Sequence, residues 1–391
     1  MKYAPEFYNV SAGDVDVNIT QTAGMLTATF KLGSNKVMPF AVAPWVGKED
    51  LPADLPNLLK YLQGDFDCWF GGNANEVGGV QHLPHGDPAN LRWQAGSVGS
   101  YGSGISQSFN LPTKALEGSV RKIIALREDH TAIYTQTLNQ VDARLSVGHH
   151  ATINIPQGDG SYDVSTSPFI YAGTFPGAFT DGGGMPRLTA SKEFNSLDEL
   201  PLEAGGVVAL NKYYATRGHE DLAMVSYDPK ETFAWSAMTN KKEGYVFFTL
   251  KNPQVLASTI FWLSHFGRTE EPWSKEGQPR HGFVMGVEDI TSLYCMGIAE
   301  SLGQVPEYRA LFDKLNKMGI KTFLDFNRDK PTPINYIMGV APIQPGFEGV
   351  RSIEPEDSNL VSIVDKSGKH SSKTAINWSW LNKGDLNRLF N

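Results

Sequence analysis

The segment VGHHATINIP, residues 147–156, sets two adjacent histidines in a run that reads as a β-strand, with Asn154 four residues after the second. Imidazole titrates unaided near neutral pH. Such a histidine is a packed polar group, a metal ligand or an acid–base group awaiting a substrate. Two more histidines, His82 and His85, lie in GDFDCWFGGNANEVGGVQHLPHGDPANLRWQ, residues 64–94. The apolar run FVMGV is followed by Glu288 and Asp289. A carboxylate at the end of a buried strand loses hydration, which moves its pKa toward neutrality and makes Glu288 a candidate general base. The plainer reading of Glu288 is a solvated strand end or a helix cap.

Period-two reading of residues 141–155 separates the two histidines. Val141, Ala143, Leu145, Val147, His149, Ala151, Ile153 and Ile155 fall on one face, and Asp142, Arg144, Ser146, Gly148, His150, Thr152 and Asn154 on the other. His149 therefore reads as a packed histidine that needs a hydrogen-bond partner. His150 shares a polar face with Thr152 and Asn154, which is either open to solvent or the floor of a cleft.

The stretch 64–94 also carries Trp69, Asn73, Asn75, Glu76, Asp87, Asn90, Arg92 and Trp93. It is too polar for a core and too aromatic for a plain loop. Tryptophan beside amides and carboxylates suits a sugar, whose C–H faces stack on a ring while its hydroxyls take polar partners. PGAFTDGGGMPRL, residues 176–188, holds three consecutive glycines, but no Lys–Ser/Thr follows them. It reads as a mobile loop rather than a phosphate cradle. The spacing of His82 with His85, and of His149 with His150, is not diagnostic of a metal site.

The elements that must position these residues are mostly strands. Runs such as GMLTATFKLG, VRKIIALRED, HTAIYTQTLNQ, LAMVSYD, TFAWSAMT and GYVFFTLKN are strand-length, and 39 glycines and 23 prolines spread between them supply turns. That pattern predicts an all-β sandwich or barrel, with LREDHTAIY as a hairpin. Short helices are expected at DLPNLLKYLQ, at DITSLYCMGIAESLG between an Asp289 cap and Gly303, and at PEYRALFDKLNKMG between Pro306 and Gly319. No repeat or linker divides the 391 residues, so one large β-domain is expected over 1–391, with about 304–391 as a C-terminal extension packed on it.

With 34 basic and 42 acidic residues the net charge is −8, and no long basic run is present. Nucleic acid is not an expected partner. Cys68 and Cys295 are too far apart in sequence for a disulfide framework and read as thiols in a reducing compartment. No run approaches a signal peptide or a membrane span, so no membrane association and a cytoplasmic location are expected. The expected state is a monomer or homodimer.

Three of these segments, in order, resemble the galactose mutarotase (aldose 1-epimerase) family, over roughly residues 20–300. PHGDPANLRW resembles the family's Leu-His-Gly-Gly segment, with His85 on its histidine. GHHATINI resembles Asn-His-(Ser/Pro)-Tyr-Phe-Asn-Leu; Asn154 fixes the register, so His150 and not His149 falls on the catalytic histidine. VMGVEDITS resembles the segment of the catalytic glutamate, which falls on Glu288. The resemblance implies a large antiparallel β-supersandwich with a few short helices, mainly C-terminal. It also implies anomer interconversion of a reducing sugar, with Glu288 as base, His150 as acid and His85 bonding near the ring oxygen or anomeric hydroxyl. That chemistry requires no cofactor and no metal. Asn154, Trp93, Trp69, Asn73, Arg92, Arg268 and His149 complete the expected substrate-binding set. Two departures stand out. Glu76 lies where members carry an arginine, leaving Arg92 or Arg268 to substitute, and Thr152–Ile153 replaces an aromatic pair. The expected pocket therefore differs from the usual galactose or glucose pocket. The competing readings are a non-catalytic carbohydrate-binding protein and a metal-dependent sugar isomerase built on His82, His85, His149 or His150.

Overall fold

A computed structural model describes residues 3–73, 75–77, 79–155 and 161–390. Alternating β-branched and aromatic residues form two large antiparallel sheets, and the molecule is all-β with short helices. The first sheet has eight strands in the order Tyr162–Thr166, Ala234–Asn240, Tyr245–Lys251, Pro333–Pro342, Ala132–Val141, Gly118–Arg127, Gly104–Pro112 and Gln94–Tyr101. The second has six, in the order Tyr171–Thr174, His219–Ser226, Ser258–His265, Gly282–Thr291, Val147–Asn154 and Asp67–Trp69.

The sheets pack face to face. Val147, Ala151, Ile153, Val287, Phe261 and Val225 from the six-stranded sheet join Ile124, Ile133, Phe247, Met338 and Val340 from the eight-stranded one. Both sheets are also covered on their outer faces, so most of their strands are buried throughout. Ile353, Ile363, Ile376, Trp380 and Leu389 cover Phe248, Leu250 and Ile337 of the eight-stranded sheet. Loops and short helices cover Leu222, Met224, Ile260 and Ile290 of the six-stranded sheet, and this cover encloses the candidate site.

Several expectations change. Residues 141–155 are not one strand. Val141 ends a strand of the eight-stranded sheet, Ala143–Leu145 pairs with Leu324–Phe326, and Val147–Asn154 belongs to the six-stranded sheet. The chain crosses between sheets there, and the period-two reading holds from Val147 onward. Asp289 is not a helix cap: it is a buried strand residue, and the following helix is reduced to Ile298–Ser301. The helix after Pro306 forms over Arg309–Lys317 and stops before Gly319, whose φ is 81°. The hairpin at LREDHTAIY is present. Residues beyond 304 are not all peripheral, because Pro333–Pro342 sits between Tyr245–Lys251 and Ala132–Val141. No helix of the described residues is long and apolar enough to cross a membrane.

Candidate active site

The strands Val147–Asn154 and Gly282–Thr291 are neighbours, with His150 opposite Glu288 and His149 opposite Asp289. Opposed residues on adjacent strands project from the same face. His150 and Glu288 therefore share the outer face, and His149 and Asp289 share the face between the sheets. His150 Nε2 lies 3.3 Å from Glu288 Oε1. Both are almost fully buried, yet both line a cavity of about 470 Å³.

The floor is tightly set. The His150 ring stacks on Phe66 at 4.5 Å between centroids, and His85 stands edge-on to His150 at 5.3 Å. Trp262 lies two residues along from Ile260, which opposes Glu288. A Cβ on Gly286 would meet Trp262 Cβ at 2.9 Å and Glu288 Oε1 at 3.2 Å, so glycine lets the indole lie close beside the carboxylate. His85 has a positive φ of 55°, and Gly86, at 71°, continues the same left-handed path. A Cβ at Gly86 would strike Trp69 at 2.6 Å. His85 is fixed there by its backbone, whose N–H donates to Gly71 O (2.8 Å) and whose carbonyl accepts from Trp69 N–H (3.0 Å). Phe70, Tyr294 and Cys295 also have positive φ. Non-glycine residues held this way are costly and gather where surrounding structure imposes them.

Electrostatics divide the groups. Burial pushes the Glu288 carboxyl up to about 7, against the pull of a Cys295 hydrogen bond and of Arg268. Burial also takes His150 well below the usual histidine range, with His85 adding to the effect, and it takes His85 down to about 4. The raised carboxyl and the lowered imidazoles run apart, so a proton shared by the pair rests on Glu288, and moving it to His150 costs the difference between the two. Arg268 lies over Trp273 (4.2 Å) and Trp262 (5.2 Å), and its Nε is 3.1 Å from Glu220 Oε1. Glu220 is buried; it accepts also from Trp262 Nε1–H and from Ser264 Oγ–H at 3.2 Å. Burial holds Glu220 up at about 7 against Arg268.

The expected site residues divide into two groups. Glu288, His150, His85, Asn73 and Arg268 line the cavity. The other five do not. His149 is fully buried between the sheets, 2.9 Å from Asp65 Oδ2 through Nδ1 and stacked on Tyr336. Trp69 is buried and donates to Asn139 Oδ1 (2.9 Å); Trp93 is buried and donates to Pro88 O (3.0 Å). Arg92 is exposed and pairs with Glu6 at 2.9 Å. Asn154 donates to Phe40 O at 3.1 Å, away from the cavity. The aromatic walls come instead from Trp262, Trp273, Phe175, Phe179 and Tyr308. The loop with three glycines contributes Phe179 and Gly182 to the lining. Among the described residues no three His, Cys, Asp or Glu side chains converge as metal ligands.

A galactose mutarotase-like protein from Clostridium acetobutylicum superposes with a TM-score of 0.52 at 12% identity, over 88% of this chain and 97% of that one. The chain has the galactose mutarotase-like fold. A galactose mutarotase related enzyme from Lactobacillus acidophilus gives 0.50 at 9% identity over 86% and 97%, and a galactose mutarotase-like protein from Lactobacillus casei gives 0.50 at 7% over 86% and 100%. The identities mark a divergent sequence on this fold. No protein-family model and no curated protein sequence matches the chain. In this galactose mutarotase-like fold the cavity lies on the outer face of the six-stranded sheet, where His150 and Glu288 meet.

Proposed function

We propose that the protein is an aldose 1-epimerase-like enzyme that interconverts the anomers of a reducing sugar by acid–base ring opening. The observation that carries this reading is the buried contact of His150 Nε2 with Glu288 Oε1, 3.3 Å, on a cavity floor. Ring opening needs a proton taken from the anomeric hydroxyl and a proton given to the ring oxygen. Both oxygens are bonded to the anomeric carbon, so the base and the acid must be neighbours. In the form whose shared proton stands on His150, a minor one because burial favours that proton on Glu288, Glu288 takes the first proton and His150 gives the second; ring closure on the opposite face reverses both transfers. The pair thus carries one proton throughout, passed from one member to the other by way of the sugar. His85, across from His150, hydrogen-bonds an oxygen of the anomeric centre. Trp262 and Trp273 supply ring faces for the sugar's C–H surface.

The cavity's charge favours a neutral sugar. Among the described residues lining it, Arg268 is the single Lys or Arg and is engaged by Glu220, whereas Glu270, Glu271, Glu288 and Glu300 are acidic. A phosphate or carboxylate on the substrate would face that surplus. The solved structures named galactose mutarotase-like or galactose mutarotase related support the reaction class through the fold. A fold alone also serves sugar binding without chemistry. The two readings separate in a polarimetric mutarotation assay: Glu288→Gln and His150→Ala should each lose about 10²-fold or more in kcat, the usual scale for a general acid or base. Full activity in either variant would remove that residue from the mechanism.

A further inference from the structure

Beyond the His150 contact, one further side chain among the described residues holds the Glu288 carboxylate. Cys295 Sγ lies 3.1 Å from Glu288 Oε2, the oxygen that does not face His150. The terminal torsion of a glutamate is broad and nearly two-fold, so a carboxylate bonded at one oxygen alone turns readily. A partner on each oxygen fixes its plane. The turn that presents the thiol is itself pinned. Tyr294 and Cys295 have φ of 53° and 55°. The Tyr294 hydroxyl bonds that of Tyr171 at 2.9 Å, and Leu293 N–H donates to Ser301 Oγ at 3.1 Å. A Cβ at Gly71 would lie 2.0 Å from Cys295 O, so the chain at Gly71 runs directly against this turn.

We propose that Cys295 is a positioning residue for Glu288: its S–H holds Oε2, so that Oε1 stays turned toward His150 and the sugar. This rests on the acid–base reading of the pair. The titratable and charged groups facing Glu288 are His150 from the adjacent strand, Cys295 from the turn, Arg268 from the segment after Ser258–His265, and Cys68 from Asp67–Trp69, whose thiol feels the Glu288 charge. The other adjacent strand opposes it with Ile260. The thiol is the donor that favours the carboxylate form, and burial holds the thiol protonated and able to donate.

The test compares Cys295→Ala with Cys295→Ser in protein carrying carboxyl-labelled glutamate, with Glu288→Gln used to assign the resonance. The serine hydroxyl keeps a donor, and its variant should titrate Glu288 as wild type does. The alanine variant should titrate Glu288 at higher pH, move the alkaline limb of the kcat profile the same way, and lose about tenfold in kcat with KM unchanged, as expected for lost orientation. An unmoved Glu288 titration in Cys295→Ala overturns the inference, whatever the activity. If no sugar is turned over by wild type while the titration still shifts in the alanine variant alone, the contact stands and the epimerase reading fails.

Discussion

At the residue scale, the choice between His149 and His150 was legible because Val147–Asn154 is a regular strand. Alternation sends neighbours to opposite faces, and the two histidines meet opposite surroundings. The burial of Glu288 was legible for a related reason: the apolar run before it is a buried strand, and burial is what raises its carboxyl. Trp69, Trp93 and Arg92 were misplaced because their loop has no period, and composition cannot say whether an indole points to a sugar or into the core. Cys295 carried no signal, since an isolated cysteine has no spacing to interpret. The raised carboxyl sets two expectations. The Glu288–His150 pair works with one proton, so the rate should fall as pH rises through about 7, where the pair loses it. A steady rise through that range in a pH–rate profile would contradict the shared proton. A carboxyl raised by folding binds its proton more tightly in the folded state than in the unfolded one. Its stability cost is therefore absent below the ordinary value of 4.5, grows as pH rises, and is complete above about 7. Glu288→Gln should thus be more stable than wild type at pH about 8, by up to ~3 kcal/mol at ~1.4 kcal/mol per pKa unit, with no gain near pH 4. Urea unfolding at the two pH values measures this.

At the scale of elements, the reacting strands are backed by buried charge. Asp289 accepts from Thr249 (2.6 Å), Thr259 (2.6 Å) and Tyr336 (2.7 Å) and is paired with Lys251. Asp67 is paired with Lys122 at 2.8 Å and accepts from Thr137 at 2.7 Å. Both lysines come from the eight-stranded sheet, so these pairs tie the sheets together immediately behind His150 and Glu288. Sequence reading could find the strands but not the pairing between sheets, which joins residues such as Asp67 and Lys122 across a long separation. Removing one partner leaves a buried charge uncompensated. Lys122→Ala should lose about 3–5 kcal/mol of unfolding free energy. A loss under about 1 kcal/mol, the range of an exposed pair, would mean that water reaches Asp67.

At the scale of the whole molecule, the chain after Pro333–Pro342 is the outer cover of the eight-stranded sheet. Trp380 packs on Tyr134 and donates to Thr135 O at 3.2 Å, and the Phe390 ring stacks on Tyr101 at 3.9 Å. The all-β class was legible from strand-length runs and turn residues. An extension packed on the domain was expected, but not which sheet it covers, because the family resemblance ended near residue 300 and its apolar residues have partners only in the assembled sheet. Trp380→Ala should cost about 3–5 kcal/mol and lower the melting temperature, with little change in KM, since the segment lies on the sheet opposite the cavity. A changed KM at unchanged stability would place the segment's influence at the site instead.

Anomer interconversion on the His150–Glu288 floor is open to direct measurement. Proton exchange spectroscopy at the anomeric signals tests it most directly, across neutral aldoses, sugar phosphates and uronic acids, with wild type and His150→Ala. Wild type should accelerate exchange, fastest on a neutral aldose, and the variant should lose the acceleration. No acceleration on any sugar, with anomeric lines still broadened by binding, would contradict it and leave a carbohydrate-binding cavity without the chemistry.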